Sequence, residues 1–217
     1  NYKDADLSQI ARYALARIPG DAVDRVLIDV LGRTDGANKL GIINTLGNRR
    51  AVAGVAPLTA LLRSDQKEVA AEAAKALGRI GTPATAKVLE QALATGGVDR
   101  EIAADAYLEC ADLLLTAGDR QTAGTMYERI LASDLPGYIQ GAALQGYACA
   151  MSADEVLTEV VSALKRGDVQ LQAVAARIAR DIQGPEAGRR FAEAMPDLSV
   201  RAQAWLIRAM AGRREQA

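Results

Sequence analysis

A chain of 217 residues is long enough for one large domain, two small ones, or a stack of short repeats. Half of it is hydrophobic but only 4% is aromatic, so the apolar content is mainly Ala, Leu, Val and Ile, whose small side chains let helices approach closely. Twenty-six basic against 27 acidic residues give a net charge of −1, which argues against a protein that tracks phosphate backbones. No apolar run approaches the roughly 18 residues of a membrane span.

The first predicted helix runs from Leu7 to Ile18, with Leu7, Ala11, Ala14, Leu15 and Ile18 inward, and Pro19-Gly20 ends it. It reads as the second half of a repeat. Asp21 to Gly32 follows, expected to bury Val23, Val26, Leu27, Val30 and Leu31; Asp35-Gly36 then turns into a helix over Lys39–Leu46. The next outer helix spans Val55–Arg63, with Pro57 in the first turn, where a missing N–H costs little. Ser64-Asp65 is expected to cap Glu68–Ile80, in which Val69, Ala73, Ala76, Leu77 and Ile80 follow the 3.6-residue period. A turn at Gly81-Thr82-Pro83 leads into Ala84–Ala94, with Val88, Leu89, Ala92 and Leu93 inward.

After Thr95-Gly96-Gly97 the period lengthens into Val98–Ala117 and Gln121–Ala132, joined at Gly118-Asp119. Pro136-Gly137 opens Tyr138–Ala150, and Ser152 with Glu155 forms a capping box for Val156–Lys165. Gly167-Asp168 leads into Val169–Ile182, Gly184-Pro185 into Glu186–Ala194, and Pro196-Asp197 into Val200–Ala211. That makes about thirteen helices, a leading half-repeat and six pairs. Leu15, Leu46 and Leu77 recur in equivalent settings, YALARIPG, NTLGNRR and KALGRIG, with a period of about 31 residues. A helix pair of this kind cannot bury its apolar face alone, so each needs its neighbours, which predicts an all-α solenoid. No linker interrupts it, and one domain is expected over 1–217. Asn1 in place of Met, and a stop at Gly212-Arg213-Arg214 just after a helix, are expected of a segment of something longer, so compartment is left open.

Within Asp65–Leu93 the residues Asp65, Val69, Ala73, Ala74, Ala76, Leu77, Gly78, Ile80, Gly81, Pro83, Leu89, Ala92 and Leu93 resemble a HEAT repeat, in particular the short bacterial variety of phycocyanobilin lyase subunits. The units at 21–48 and 153–183 are recognisable; 119–150 is weaker. Ala70 stands where that pattern has Arg, and only Val200-Arg201 keeps the pair, which puts a continuous Arg–Asp ladder in doubt. The 104–136 stretch also resembles a tetratricopeptide repeat through Gly118, Ala123, Tyr127, Leu131 and Pro136. The HEAT resemblance implies a right-handed α-α superhelix acting as a bacterial interaction scaffold for a protein or peptide partner, its second helices lining a concave face. It also admits a bilin-lyase-like subunit that holds a chromophore, or a HEAT-like nucleic-acid-binding module.

The chain has no histidine, which removes the commonest general base and metal ligand. No catalytic residue, cofactor or metal is expected. Glu68 with Glu72, and Glu101 with Asp105 and Glu109, share helix faces and read as solvated surface. Cys110 lacks a histidine partner and is flanked by Glu109 and Asp112, so it and Cys149 read as buried free thiols, with a disulfide as the alternative. The leucine period also aligns Arg17, Asn48 and Arg79, and likewise Tyr13, Asn44 and Lys75, in two adjacent polar rows that Arg180 continues. Such rows suit an acidic peptide, a carboxylated ligand or a phosphate; the structural alternative is arginine complementing helix C-termini. Tyr107, Tyr138, Tyr147 and Trp205 are candidate aromatic anchors if exposed and core if not, with core the stronger reading for Trp205.

Overall fold

Every regular element among the described residues is helical. The structure, a computed structural model, describes residues 10–11 and 13–212; the expectations placed on Leu7 and on Arg213-Arg214 lie outside the described residues. Helical residues 13–17 are followed by α1 (Asp21–Leu31), α2 (Gly36–Asn48), a 3-10 turn (Val52–Gly54), α3 (Val55–Leu61), α4 (Lys67–Ile80), α5 (Pro83–Thr95) and α6 (Arg100–Thr116). Then come α7 (Arg120–Leu131), α8 (Gly137–Ala150), α9 (Ala153–Lys165), α10 (Val169–Asp181), α11 (Pro185–Ala194), a 3-10 turn (Met195–Asp197) and α12 (Val200–Ala211). The chain forms two compact units, one ending at Gly118 and the other starting at Asp119.

In the first unit α2, α4 and α6 pack on one another as one layer, while α3 lies against α4, and α5 against α4 and α6. Leu46, Leu58, Leu77 and Leu89 are fully buried between these layers, each contributing about 1.5–3 kcal/mol by leaving water. In the second unit α10 packs against α8 and α12 in one layer; α7 lies against α8, α9 against α10 and α11 against α9. The all-α class of paired, stacked helices expected from periodicity is the one observed, with no strand among the described residues.

Helix ends follow local chemistry. Thr82 and Thr85 form a reciprocal capping box at α5, with Pro83 in the first turn. Ser152 and Glu155 do the same at α9, as expected. Gly81 and Gly96 end α4 and α5 at φ 65° and 70°, the left-handed conformation in which a Cβ is penalised. The expected Ser64-Asp65 cap is not made. Gln66 occupies the cap of α4 without a side-chain bond, and the Ser64 hydroxyl instead accepts the Gln66 N–H at 3.2 Å, closing the turn one step earlier.

Two expectations at the start of the chain are corrected. Ala11, Ala14 and Ile18 are exposed and Leu15 is half-buried, because no described helix covers their face. In α1 the buried stripe is Asp24, Leu27 and Leu31, while Val26 and Val30 are exposed and Val23 is half-buried. The helix is rotated from its apolar optimum because Asp24 is drawn inward by an ion pair with Arg49.

The stacking distance is set by glycine. A Cβ on Gly47 would lie 2.8 Å from the Ala76 Cα, and one on Gly78 would lie 2.6 Å from the Ala106 carbonyl oxygen. Both neighbours are backbone atoms of the next helix in the layer, so no side chain can move aside. Gly78→Ala is expected to destabilise by about 1–3 kcal/mol, overpacking outweighing the roughly 1 kcal/mol gain in helix propensity. Gly188→Ala, in α11 with nothing within 4 Å, should instead stabilise by about 0.5–1 kcal/mol. Urea unfolding of the two variants checks the opposite signs.

Candidate functional site

Helices packed in register repeat their exposed positions, and the first unit brings part of the predicted rows together. Arg17 and Tyr13 are exposed on one helical segment, the guanidinium carbon 4.5 Å from the centre of the Tyr13 ring. One repeat on, Asn48 donates to Asn44 at 2.8 Å. Two repeats on, Lys75 pairs with Glu72 at 2.9 Å. Arg79 is half-buried, packed so closely over Gly47 that an added Cβ would meet its Nε at 3.1 Å, and its Nε and Nη2 are buried without a hydrogen-bond partner. Arg17 and Asn48 line one cavity of about 610 Å³ together with Arg49, Arg50, Asp21 and Asp24. Lys75 and Arg79 do not line it.

Arg49 and Arg50 play different parts there. Arg49 is an internal clamp: its Nε donates to Asp24 at 2.5 Å, and its remaining nitrogens donate to the carbonyls of Leu15, Ile18 and Gly20 at 2.6, 2.5 and 3.0 Å. Its planar fork satisfies helix-end carbonyls of the preceding repeat, which an ammonium could not do at once. Arg50 holds φ 52° at the end of α2, where its N–H bonds to Gly47 and the N–H of Ala51 bonds to Leu46. Glycine is the usual residue in that geometry, and a side chain there costs about 1–2 kcal/mol.

Arg180, predicted to continue the rows, lies in the second unit. It lines a cleft of about 380 Å³ with Arg177, Trp205, Arg208 and a floor of Ala173, Ala176, Ala209 and Gly212. A neighbouring cavity of about 610 Å³ shares Arg177 and Arg180 and adds Gln145, Cys149 and Asp181. Trp205 is half-buried at the cleft wall, contrary to its expected place in the core; α12 is an end member of the α8–α10–α12 layer. Tyr107 and Tyr147 are buried, and Tyr138 is exposed. Sequence reasoning missed Arg177 and Arg208, which are legible as the i−3 neighbour of Arg180 and a last-turn arginine of the next helix in that layer.

Also missed was a polar ladder. Gln140, Gln172 and Gln203 recur once per repeat, each at the fourth position after a helix cap. Their side-chain amides donate to Ser133 and Leu135, to Leu164 and Arg166, and to Met195 and Leu198 carbonyls. Each amide thus satisfies two backbone acceptors in the turn that precedes its helix.

The acidic faces carry no metal cluster among the described residues. Burial and then the Glu101 charge raise the Asp105 carboxyl above its usual range. Burial raises that of Glu109 against the nearby Arg79. Both cysteines are free, but Cys149 is exposed and not buried as expected, since it falls on the cleft side of α8. Burial pushes the Cys110 thiol up, with the Thr85 hydroxyl 3.5 Å away.

Two outcomes are expected. Arg49→Ala should lose about 3–5 kcal/mol in urea unfolding, because it strands a buried Asp24, and Arg49→Lys should recover less than half of this. In a thiol-reagent time course the native chain should react quickly at one site, abolished by Cys149→Ser, with Cys110 reacting only on unfolding.

A comparison with curated proteins finds no match to this chain. Residues 24–107, from the clamp aspartate's position in α1 into α6, match the family model of HEAT repeats. That span contains the paired helices and the close contacts of Gly47 with Ala76 and of Gly78 with Ala106, and it is over these residues that the chain is similar to HEAT repeats.

Proposed function

We propose that this chain is a non-catalytic scaffold that binds a protein partner on the exposed polar positions of its helix layers. The observation that carries this reading is the cavity where Arg17 and Asn48, one repeat apart, meet Arg50. Arg50 supports it further. A non-glycine residue held at φ 52° is retained at a cost, and the side chain so placed lines the same cavity. Proteins built of HEAT repeats commonly mediate protein interactions, which favours the reading by analogy. The absence of histidine from the sequence favours a role without chemistry of its own.

Lysine-directed cross-linking of the purified chain in a cell extract tests it, since Lys75 is exposed on the helix beside this cavity. Discrete polypeptides should be captured, and Arg17→Glu combined with Arg50→Gly should reduce their yield by about tenfold, equivalent to about 1.4 kcal/mol of binding. Arg50→Gly alone should raise stability by about 1 kcal/mol, separating loss of binding from loss of fold. No specific capture, or equal capture by the double variant, would overturn the reading.

A further inference from the structure

We propose that the cleft between α10 and α12 binds a short acidic peptide segment with one bulky apolar side chain between its carboxylates. This deepens the scaffold reading, on which it rests, by naming what one partner brings to the second unit.

The charge argument comes first. The chain as a whole is nearly neutral, at −1, yet Arg177, Arg180 and Arg208 meet at one cleft with Asp181 as the neighbouring acid. Arg177 and Arg208 make no ion pair among the described residues, and all three arginines are exposed. Arg180 pairs with Asp181 at 3.2 Å, but both side chains are more than half exposed, at 53% and 69%, so the pair is worth little and yields readily to a ligand. Guanidinium groups favour carboxylates through paired, parallel hydrogen bonds.

The shape argument narrows the ligand. Ala173, Ala176, Ala209 and Gly212 make a floor without bulk, and Trp205 walls it, so the centre of the cleft is apolar and open. A lone inorganic anion would leave that floor and the indole uncovered. A single-stranded nucleic acid stacks successive bases on successive aromatics, and here Trp205 is the one aromatic lining the cleft. Arg177 and Arg180 share one face of α10, a single turn apart, with Arg208 on the adjacent α12. Packed helix axes lie roughly 8–10 Å apart, and an extended peptide advances about 3.3 Å per residue. Carboxylates about three positions apart therefore reach the two helices, with an intervening side chain over the alanines and against the indole.

Trp205 is the chain's single tryptophan and reports directly on occupancy. The probe is the synthetic peptide acetyl-Asp-Glu-Leu-Glu-Asp amide, titrated into the intact chain while following tryptophan emission. A saturable change is expected, weakened several-fold by roughly 0.5 M salt because the pairs are solvent-facing. Arg177→Gln with Arg208→Gln should weaken binding about tenfold or more with the unfolding midpoint unchanged, since neither residue is buried.

A silent Trp205 would overturn the proposal. So would equal binding by the double variant, by the peptide with Lys replacing its acidic residues, by oligothymidylate or by inorganic phosphate. A silent Trp205 alongside specific capture through Lys75 would remove the cleft and leave the scaffold, whereas a saturating Trp205 response supports the cleft whatever Lys75 captures.

Discussion

The constraint on which the first unit rests is the backbone contact between successive helices of one layer. Gly47 lies against Ala76 and Gly78 against Ala106, with no room for a Cβ at either glycine. Approach at this distance lets the fully buried Leu46 and Leu77 enter the space between layers. It also brings the end of one helix beside the end of the next, so that polar groups from one repeat can serve the carbonyls of another. In the first unit, packing and helix-end chemistry thus follow from one kind of contact made twice, one repeat apart.

A stack of short helices multiplies helix ends, and each end leaves carbonyls that the helix cannot satisfy. The two units answer this differently. In the first, Arg49 gathers three carbonyls and a carboxylate in one fork. In the second, glutamines repeat at the same place after each cap, and Arg166 adds a bond to the Leu131 carbonyl while contacting Gln140 at 3.1 Å and Glu159 at 3.2 Å. Burial raises the Glu159 carboxyl, and Arg166 opposes that shift. These side chains are polar and periodic, yet they serve the fold's own backbone.

That division bears on function. An arginine in a repeat can be a structural clamp or a group held out to a partner, and only its surroundings tell which. Arg49 is consumed internally and Arg79 is half-buried over Gly47. Arg17, Arg50, Arg177, Arg180 and Arg208 line open cavities. Under the proposed scaffold reading these cavity-rim arginines are the ones held out to a partner, with Trp205 half-buried and Cys149 exposed at the clefts of the second unit.

Much of this was legible in the residues themselves. Proline, glycine and Ser or Thr caps bounded most helices closely, and Val200–Ala211 was placed at its observed limits, because those signals act within a single helical turn. The regular spacing of Leu15, Leu46 and Leu77 determined the repeat class, since a helix pair with a bare apolar face has few other ways to bury it. Tertiary structure alone decided which polar residues are free. Asp24 turned α1 away from its valines, Arg79 left its row to cover Gly47, and Trp205 came to line a cleft. Each outcome depends on a partner in another helix, and a side chain's own periodicity carries no record of whether a distant carbonyl or carboxylate will claim it.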